Sequence, residues 1–255
     1  MRRAQASLAL AFAFAVAAPG EERALYRVSG GDARLFDQYD NDGYSLSVTP
    51  TPDGTLDLAV RVSDAPLASA APFPTGRPRD AALPPAPDRD AFARRLAEGS
   101  RTEQEAVRKI LLGLAGEITY DSDRLRLQDP AAVFASRRAF CVGFSELALD
   151  LLRRAGIPAR TVQGILACGP DCDGYDAEVG GAYHRWIEVY YPDRGYVFSD
   201  PSSSINGVDA RYIPFGRRSL VKPRSLSVTP VSSSGELAYR PMRVGETTIR
   251  VRDGR

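Results

Sequence analysis

Side chains that carry out chemistry are scarce in this sequence. Among 255 residues there are one histidine, three cysteines and one tryptophan. Of the 33 basic residues only Lys109 and Lys222 are lysines, and 32 acidic residues balance the bases. This balance lacks the positive footprint of proteins that bind nucleic acid or anionic lipid surfaces. We therefore expect no nucleic-acid partner.

Long apolar runs are also absent, except at the N-terminus. Arg2 and Arg3 precede an apolar run from Leu8 to Ala18 that ends in small residues suited to signal peptidase. The run is shorter than the roughly 20 residues that span a bilayer. Residues 1–18 are therefore predicted to be a signal peptide, and the mature chain to be periplasmic or secreted and not membrane-spanning. A buried N-terminal helix is the alternative.

The remaining chain divides by composition. Alternating apolar residues over 44–62 predict a β-hairpin within a small N-terminal β region, residues 19–63. Seven prolines between 64 and 88 exclude a helix or central strand, so this segment is interpreted as a Pro/Ala-rich linker. Residues 89–255 form the predicted main domain. The acidic segment 40–43 fits an ordinary turn better than a calcium loop, because no glutamate closes it.

Helices precede strands in the main domain, an α+β order. Thr102 and Glu105 form a capping box that opens a helix reaching about Gly116, and Asp129 with Pro130 opens a short second helix. A third helix is predicted over 141–155. Strand-like runs follow it at these positions: 159–166, 183–191 and 195–199, with weaker runs at 208–213, 225–231 and 247–251.

Cys141 is predicted to lie at the N-terminus of the third helix. The helix dipole and unpaired amides there favour a thiolate, which makes Cys141 a candidate nucleophile. The alternative is that Cys141 is a small buried apolar residue.

His184 begins one predicted strand and Asp200 follows the next. Their separation is even, so both side chains share a face only if the hairpin has an odd-length loop or a bulge. A four-residue loop, Pro192–Gly195, would send Asp200 to the other face. A register that pairs His184 directly with Asp200 also makes two favourable cross-strand pairs: Trp186 with Phe198, and Glu188 with Tyr196.

These segments resemble the transglutaminase-like superfamily. The similarity lies in the stretch that begins Cys141-Val142-Gly143-Phe144, in the strand that begins His184-Arg185-Trp186, and in the strand that ends Ser199-Asp200-Pro201. It covers about residues 102–215. The resemblance implies a papain/transglutaminase-like α+β core, with the nucleophile helix packed on an antiparallel sheet. It also implies a Cys-His-Asp triad formed by Cys141, His184 and Asp200.

Two details of the expected site stay open. The oxyanion hole should use the backbone N–H of Cys141 and one side-chain donor, for which Tyr120 and Gln128 are candidates. Ala139 stands where the family usually has glycine, and its methyl group could crowd the substrate backbone.

Cys168 and Cys172 flank a short insertion before His184. In an exported protein we expect them to form a local disulfide. A zinc site that also uses Cys141 and His184 is the alternative, but it would consume the residues of the triad. No cofactor or metal is therefore predicted.

The leading hypothesis is an exported cysteine enzyme that acts on amide bonds of protein or peptide substrates through a thioester, by hydrolysis rather than transamidation. Cell-wall peptides are among the candidate substrates. A catalytically idle binding module and a zinc-stabilised structural protein are the alternatives.

Overall fold

A computed structural model describes residues 20–30, 33–74, 78, 80–167, 175–176, 179–216, 225–234 and 250–251. The predicted signal peptide, Cys168 and Cys172 lie outside these residues. Within them, no helix is both long and apolar enough to cross a membrane.

Four α-helices and a short 3-10 helix at Ala33–Leu35 occur in the described residues. The α-helices are α1 (Pro87–Ala97), α2 (Glu103–Glu117), α3 (Pro130–Ser136) and α4 (Cys141–Arg154). The strands in the same residues are β1 (Glu21–Ser29), β2 (Tyr39–Asn41), β3 (Tyr44–Pro50), β4 (Leu56–Ser63), β5 (Thr119–Tyr120), β6 (Arg138–Ala139), β7 (Ala159–Ala167), β8 (Tyr175–Asp176), β9 (Gly181–Tyr191), β10 (Gly195–Ser199), β11 (Ser204–Ile205), β12 (Tyr212–Pro214), β13 (Ser227–Ser234) and β14 (Arg250–Val251).

The N-terminal strands form an antiparallel sheet in the order β13-β1-β4-β3-β2. The predicted hairpin over 44–62 is β3 with β4, and most of its apolar residues are buried and alternate with more exposed residues. The expected turn at 40–43 is a tight reversal between β2 and β3, where Gly43 has a φ of +80°. Strand β13 pairs with β1, so a segment from beyond the main domain's central sheet completes the N-terminal sheet.

A second sheet, in the order β10-β9-β7-β12, is covered on both faces. On one face, Trp186, Phe198 and Tyr212 belong to a core shared with the N-terminal sheet. On the other, Ile187 and Val189 belong to a core shared with the helices. Because neighbouring residues of a strand point to opposite faces, β9 contributes to both cores at once.

Helix α4 has the apolar face that the sequence predicts. Phe144, Leu147 and Leu151 are each at most 1% exposed and lie in the core beneath the helices. The helix ends at Arg154, and Gly156 takes a left-handed conformation with a φ of +77° just beyond it. Thr102 caps α2 as predicted by accepting a hydrogen bond from the Glu105 backbone N–H, while the Glu105 carboxylate accepts from the backbone N–H of Arg101 rather than of Thr102. Helix α1, which the sequence reasoning did not predict, packs against α2 and α4.

The proline-rich segment forms no named helix or strand before α1 begins at Pro87, as far as its residues are described. It lies along the helices. Leu67 is buried in the helical core, and Asp80 forms an ion pair with Arg153 of α4. The Phe73 N–H donates to the Arg101 carbonyl just before α2. These contacts make the segment a strap over the helical layer.

Candidate active site

Cys141 is the first residue of α4 and is 8% exposed. Phe140 caps the helix without a side-chain hydrogen bond of its own. The first amides of a helix have no partner within it, and they place the positive end of the dipole beside the Cys141 thiol. The helix is tied to the second sheet because the Ser145 hydroxyl donates to the Arg185 carbonyl at 3.0 Å.

His184 and Asp200 meet across the β9–β10 hairpin. Their Nε2 and Oδ2 atoms are 2.6 Å apart, and both residues are buried. Tyr191 pairs with Gly195, so the loop has an odd number of residues and both side chains share a face, as the parity argument requires. The four-residue loop is wrong. Direct pairing is also wrong, because Phe198 pairs with Glu188 and the register leaves Asp200 diagonal to His184.

Asp200 accepts hydrogen bonds on both carboxylate oxygens. Oδ2 accepts from the hydroxyls of Tyr212 at 2.8 Å and Ser203 at 2.9 Å, besides facing His184. Oδ1 accepts from the Ser202 backbone N–H at 2.9 Å and hydroxyl at 2.6 Å. These donors balance the burial of an ionised carboxylate, which would otherwise be unfavourable.

The same contacts set the charges of the pair. Burial alone would raise the pKa of Asp200, but the charge and hydrogen bond of His184 and the hydrogen bonds from Ser202 outweigh it and lower that pKa. Burial alone would lower the pKa of His184. The charges of Asp200 and Cys141 and hydrogen bonds to both outweigh this effect, so the pKa of His184 is raised.

Asp200 and Cys141 thus both raise the pKa of His184. An ionised carboxylate can only accept hydrogen bonds, so Nε2 carries a proton toward Asp200. The other ring nitrogen, Nδ1, is then the one available for the hydrogen bond with Cys141. This is the arrangement in which an imidazole can hold or transfer the proton of a thiol.

Aromatic rings enclose the imidazole. The ring of His184 stacks on Trp186 at 6.0 Å between centroids with an interplanar angle of 21°. Tyr212 meets the edge of His184 at 5.7 Å and that of Trp186 at 5.3 Å. Together these contacts restrict rotation of the imidazole about its side-chain bonds.

Gln128 positions the start of α4. Its Oε1 accepts hydrogen bonds from the backbone N–H groups of Phe140 at 3.2 Å and Gly143 at 3.1 Å, on either side of Cys141. Gln128 thus presents its oxygen to the helix, whereas an oxyanion donor would have to present its N–H. A Cβ atom at Gly143 would lie 2.4 Å from that oxygen and 2.8 Å from Val133, so this approach requires glycine.

Tyr120 and Ala139 pair with each other across β5 and β6. The Tyr120 ring stacks on Phe144 of α4 at 5.9 Å. Ala139 is 0% exposed and belongs to the helical core. The expectation that its methyl group crowds a substrate is therefore wrong: a fully buried methyl group packs under α4 instead.

Glu188, the other acidic residue on this face of β9, is bound elsewhere. It is 0% exposed, forms an ion pair with Arg160 and accepts a hydrogen bond from Asn41 at 3.1 Å. It therefore has partners other than His184.

The described residues contain no cluster of three or more His, Cys, Asp or Glu side chains that could hold a metal ion. The alternative zinc site needs Cys168 and Cys172, as does the predicted disulfide, and both cysteines lie outside the described residues. Cys141 is a free thiol.

The sequence reasoning missed three hydrogen-bond donors around Asp200. Ser202 could have been found, because an aspartate side chain commonly accepts from the backbone N–H two residues later. Ser203 follows in the same turn. Tyr212 comes from a three-residue strand whose pairing with β7 is long-range, and no local signal in the sequence indicates it.

Comparison with known proteins finds similarity in the segment that contains Cys141, His184 and Asp200. The model of the transglutaminase-like superfamily matches residues 90–201. The match begins earlier than the expected 102–215, so it includes most of α1, and it ends just after Asp200. All three candidate residues lie inside it.

Two curated relatives match parts of the chain. Uncharacterized protein YebA of Bacillus subtilis (strain 168) is 36% identical over 76 residues, which are 28% of this chain and 10% of that protein. Protein-glutamine gamma-glutamyltransferase of Pseudomonas aeruginosa is 26% identical over 129 residues, which are 44% of this chain and 18% of that protein. The chain thus covers less than a fifth of either relative's length.

Among solved structures, the periplasmic domain of TgpA from Pseudomonas aeruginosa is similar at 17% identity with a TM-score of 0.38, over 71% of this chain and 86% of that one. The sequence match is the stronger finding, because it coincides with the helix, the two strands and the residue order described above. Residues 90–201, a little under half of the chain, are thus similar to the transglutaminase-like superfamily.

Proposed function

We propose that the protein is an exported cysteine enzyme that cleaves amide bonds through a thioester on Cys141. The observation that carries the proposal is the buried pair of His184 and Asp200, 2.6 Å apart, together with Cys141 at the N-terminus of α4, whose charge helps to raise the pKa of His184. These contacts support the assignment of nucleophile, base and orienting group to Cys141, His184 and Asp200, the set of roles that covalent catalysis requires.

The reaction follows from these positions. The Cys141 thiolate attacks the amide carbonyl carbon, and the tetrahedral intermediate collapses as the C–N bond breaks. The His184 imidazolium gives its proton to the leaving amine, which leaves a thioester. Water then attacks the thioester while His184 accepts one of its protons, the thiolate departs, and the carboxylic acid product loses its remaining proton to solvent. Asp200 keeps its charge throughout and stabilises the imidazolium.

We favour hydrolysis over transamidation. Cys141 is only 8% exposed, so a thioester there would be reached more easily by water than by the lysine of a second protein. The relative from Pseudomonas aeruginosa carries the name of a glutamyltransferase, so transfer to an amine is the outcome that the experiment must distinguish.

The proposal includes export of the protein. The N-terminal run resembles a signal peptide, and the protein would act on proteins or peptides in the periplasm or outside the cell, including cell-wall peptides. In that compartment a Cys168–Cys172 disulfide would persist.

The test is chemical modification of the native protein. A peptide carrying an amide-mimicking electrophile should label Cys141 at neutral pH faster than it labels an ordinary thiol, and mass mapping should locate the adduct there. Cys141→Ala should abolish the adduct. His184→Ala should slow labelling at neutral pH to the rate of an ordinary thiol, because the imidazolium that stabilises the thiolate is gone.

Two outcomes would contradict the proposal. If Cys141 reacts no faster than an ordinary thiol, the chain is better described as a binding module. If a primary amine added with an amide substrate is incorporated faster than the substrate is hydrolysed, the enzyme is a transamidase.

A further inference from the structure

Two leucine side chains near the candidate active site are exposed to solvent. Leu125 is 96% exposed and Leu127 is 71% exposed, in the segment that joins β5 to α3. The other exposed large apolar side chains among the described residues are less exposed: Tyr190 at 37% and Val231 at 50%. A single exposed leucine is unremarkable, but neighbouring ones form an apolar surface that calls for an explanation.

Hydrogen bonds within the segment hold it in an ordered conformation. Asp121 accepts from the Asp123 backbone N–H at 3.0 Å, and Asp123 accepts from that of Leu125 at 3.0 Å. Arg138 donates to Asp121 at 2.9 Å and Arg126 lies 3.4 Å from the same carboxylate. Leu125 and Leu127 remain exposed on this hydrogen-bonded segment.

The same segment ends at the residue that positions the nucleophile helix. The Nε2 atom of Gln128 donates to the carbonyl of Arg126, the residue between the leucines, at 3.2 Å. Its Oε1 accepts from Phe140 and Gly143, which flank Cys141. One side chain thus joins the leucine pair to the start of α4, and Leu127 lies one Cα step, about 3.8 Å, from Gln128.

We propose that Leu125 and Leu127, here called the leucine platform, bind an apolar side chain of the peptide that donates its acyl group to Cys141. The proposal rests on the function proposed above and names the substrate class as peptides with an apolar residue beside the cleaved amide. A stable dimer needs about 800 Å² from each partner, far more than two leucine side chains supply. A short peptide extended along the site requires only such a small contact.

The experiment compares two matched peptidyl electrophiles, one with leucine and one with serine next to the reactive group. Their rate constants for modifying Cys141 are measured on the wild-type chain, on the double variant Leu125→Ser/Leu127→Ser and on the control Val231→Ser. Iodoacetamide, which is too small to reach the platform, is measured in parallel.

We expect the wild type and the control to prefer the leucine probe by roughly three- to tenfold, as a partly enclosed apolar contact allows. The double variant should lose this preference while its iodoacetamide rate stays unchanged. An unchanged preference in the double variant, or equal rates for both probes on the wild type, would overturn the platform. Failure of the proposed function would look different: iodoacetamide would then modify Cys141 as an ordinary thiol, whatever the ratio of the peptidyl probes.

Discussion

Asp200 and Glu188 are two buried carboxylates on one hairpin, and each is 0% exposed. They differ in their partners. Glu188 faces the guanidinium of Arg160 and the amide of Asn41, whereas Asp200 faces an imidazole and hydroxyl groups. A guanidinium keeps its proton at any physiological pH, while an imidazole can give it up. The comparison teaches that the partner, not burial or strand position, decides whether a buried carboxylate lies beside a group that can give up a proton.

Removing the charge of Asp200 should have the largest effect on activity. Asp200→Asn keeps the size of the side chain but no longer stabilises the imidazolium of His184. The corresponding change in a serine protease lowers turnover by about 10⁴-fold. A thiol depends less on its base, so we expect a smaller fall, on the order of 10²- to 10³-fold. Turnover of an amide substrate, with circular dichroism to confirm folding, checks it.

Glu188→Gln is the matched control on the same hairpin. If it lowered turnover as much as Asp200→Asn does, the difference drawn between the two carboxylates would be wrong. Activity that is unchanged in Asp200→Asn but absent in His184→Ala would show that another group orients the histidine.

Glu188→Gln should instead reduce stability. Breaking a buried ion pair leaves an unpaired charge and costs about 3–5 kcal/mol. The Arg160 side chain is 36% exposed, so water compensates part of this loss and we expect about 1–3 kcal/mol. Denaturant unfolding measures the change. Turnover per folded molecule should stay the same, and a parallel fall well below the unfolding transition would contradict a purely structural role.

His184 is the only histidine in the chain, so its titration can be followed by NMR without assignment. Its pKa should lie above the ordinary value of about 6.5, because the charges of Asp200 and Cys141 outweigh its burial. Asp200→Asn should lower this pKa most, and Cys141→Ala should lower it less. A wild-type pKa at or below 6.5 would mean that burial dominates and that the resting pair is neutral.

The free energy of unfolding should depend on pH through the titration of His184. A histidine whose pKa is raised by folding stabilises the protein fully below its unfolded pKa, and this contribution is lost as pH rises through the folded value. The lowered pKa of Asp200 acts in the opposite sense: its contribution is present above the unfolded pKa and is lost as pH falls through the folded value. The unfolding free energy that His184→Gln removes should therefore shrink between neutral and alkaline pH.

Local patterns in the sequence predicted the structural features that depend on residues close together in the chain. The apolar spacing that follows Cys141 and the Gly156 stop predicted α4 to within one residue of its end. The hairpin register escaped prediction because parity allows several registers, and only packing against two cores selects one. Helix α1 was missed because its start, Pro87, was assigned to the proline-rich linker although proline suits the first turn of a helix.

The residues of the candidate site differ in the same way: some can be predicted from local sequence and others only from the tertiary structure. The order of Cys141, His184 and Asp200 can be recognised from motifs, whereas Tyr212 reaches Asp200 only through the pairing of β12 with β7. The role assigned to Gln128 was also beyond local patterns. Whether its carboxamide presents oxygen or nitrogen depends on where the backbone amides of α4 point, which is a property of the tertiary structure.

The smallest expected effect concerns Tyr212. Tyr212→Phe keeps the ring against His184 but removes one donor, at 2.8 Å, from Asp200 Oδ2. A hydrogen bond to a charged group contributes about 1.5–3 kcal/mol, and Ser203 still donates to the same oxygen. We therefore expect turnover to fall by roughly two- to tenfold. With less of its charge compensated, the carboxylate should hold the imidazolium more tightly, so the pKa of His184 should rise slightly.

A rise in the pKa of His184 in Tyr212→Phe would show that the Tyr212 hydroxyl acts on the charge of Asp200. Asp200→Asn, which removes that charge, should instead lower the pKa of His184. Tyr44→Phe is the control: its hydroxyl donates to the backbone carbonyl of Tyr212 at 2.7 Å and reaches no carboxylate. Loss of that bond should reduce stability and leave the titration of His184 unchanged. A pKa of His184 that falls in Tyr212→Phe, or that moves equally in both tyrosine variants, would show that the hydroxyl of Tyr212 supports the fold rather than the charge of Asp200.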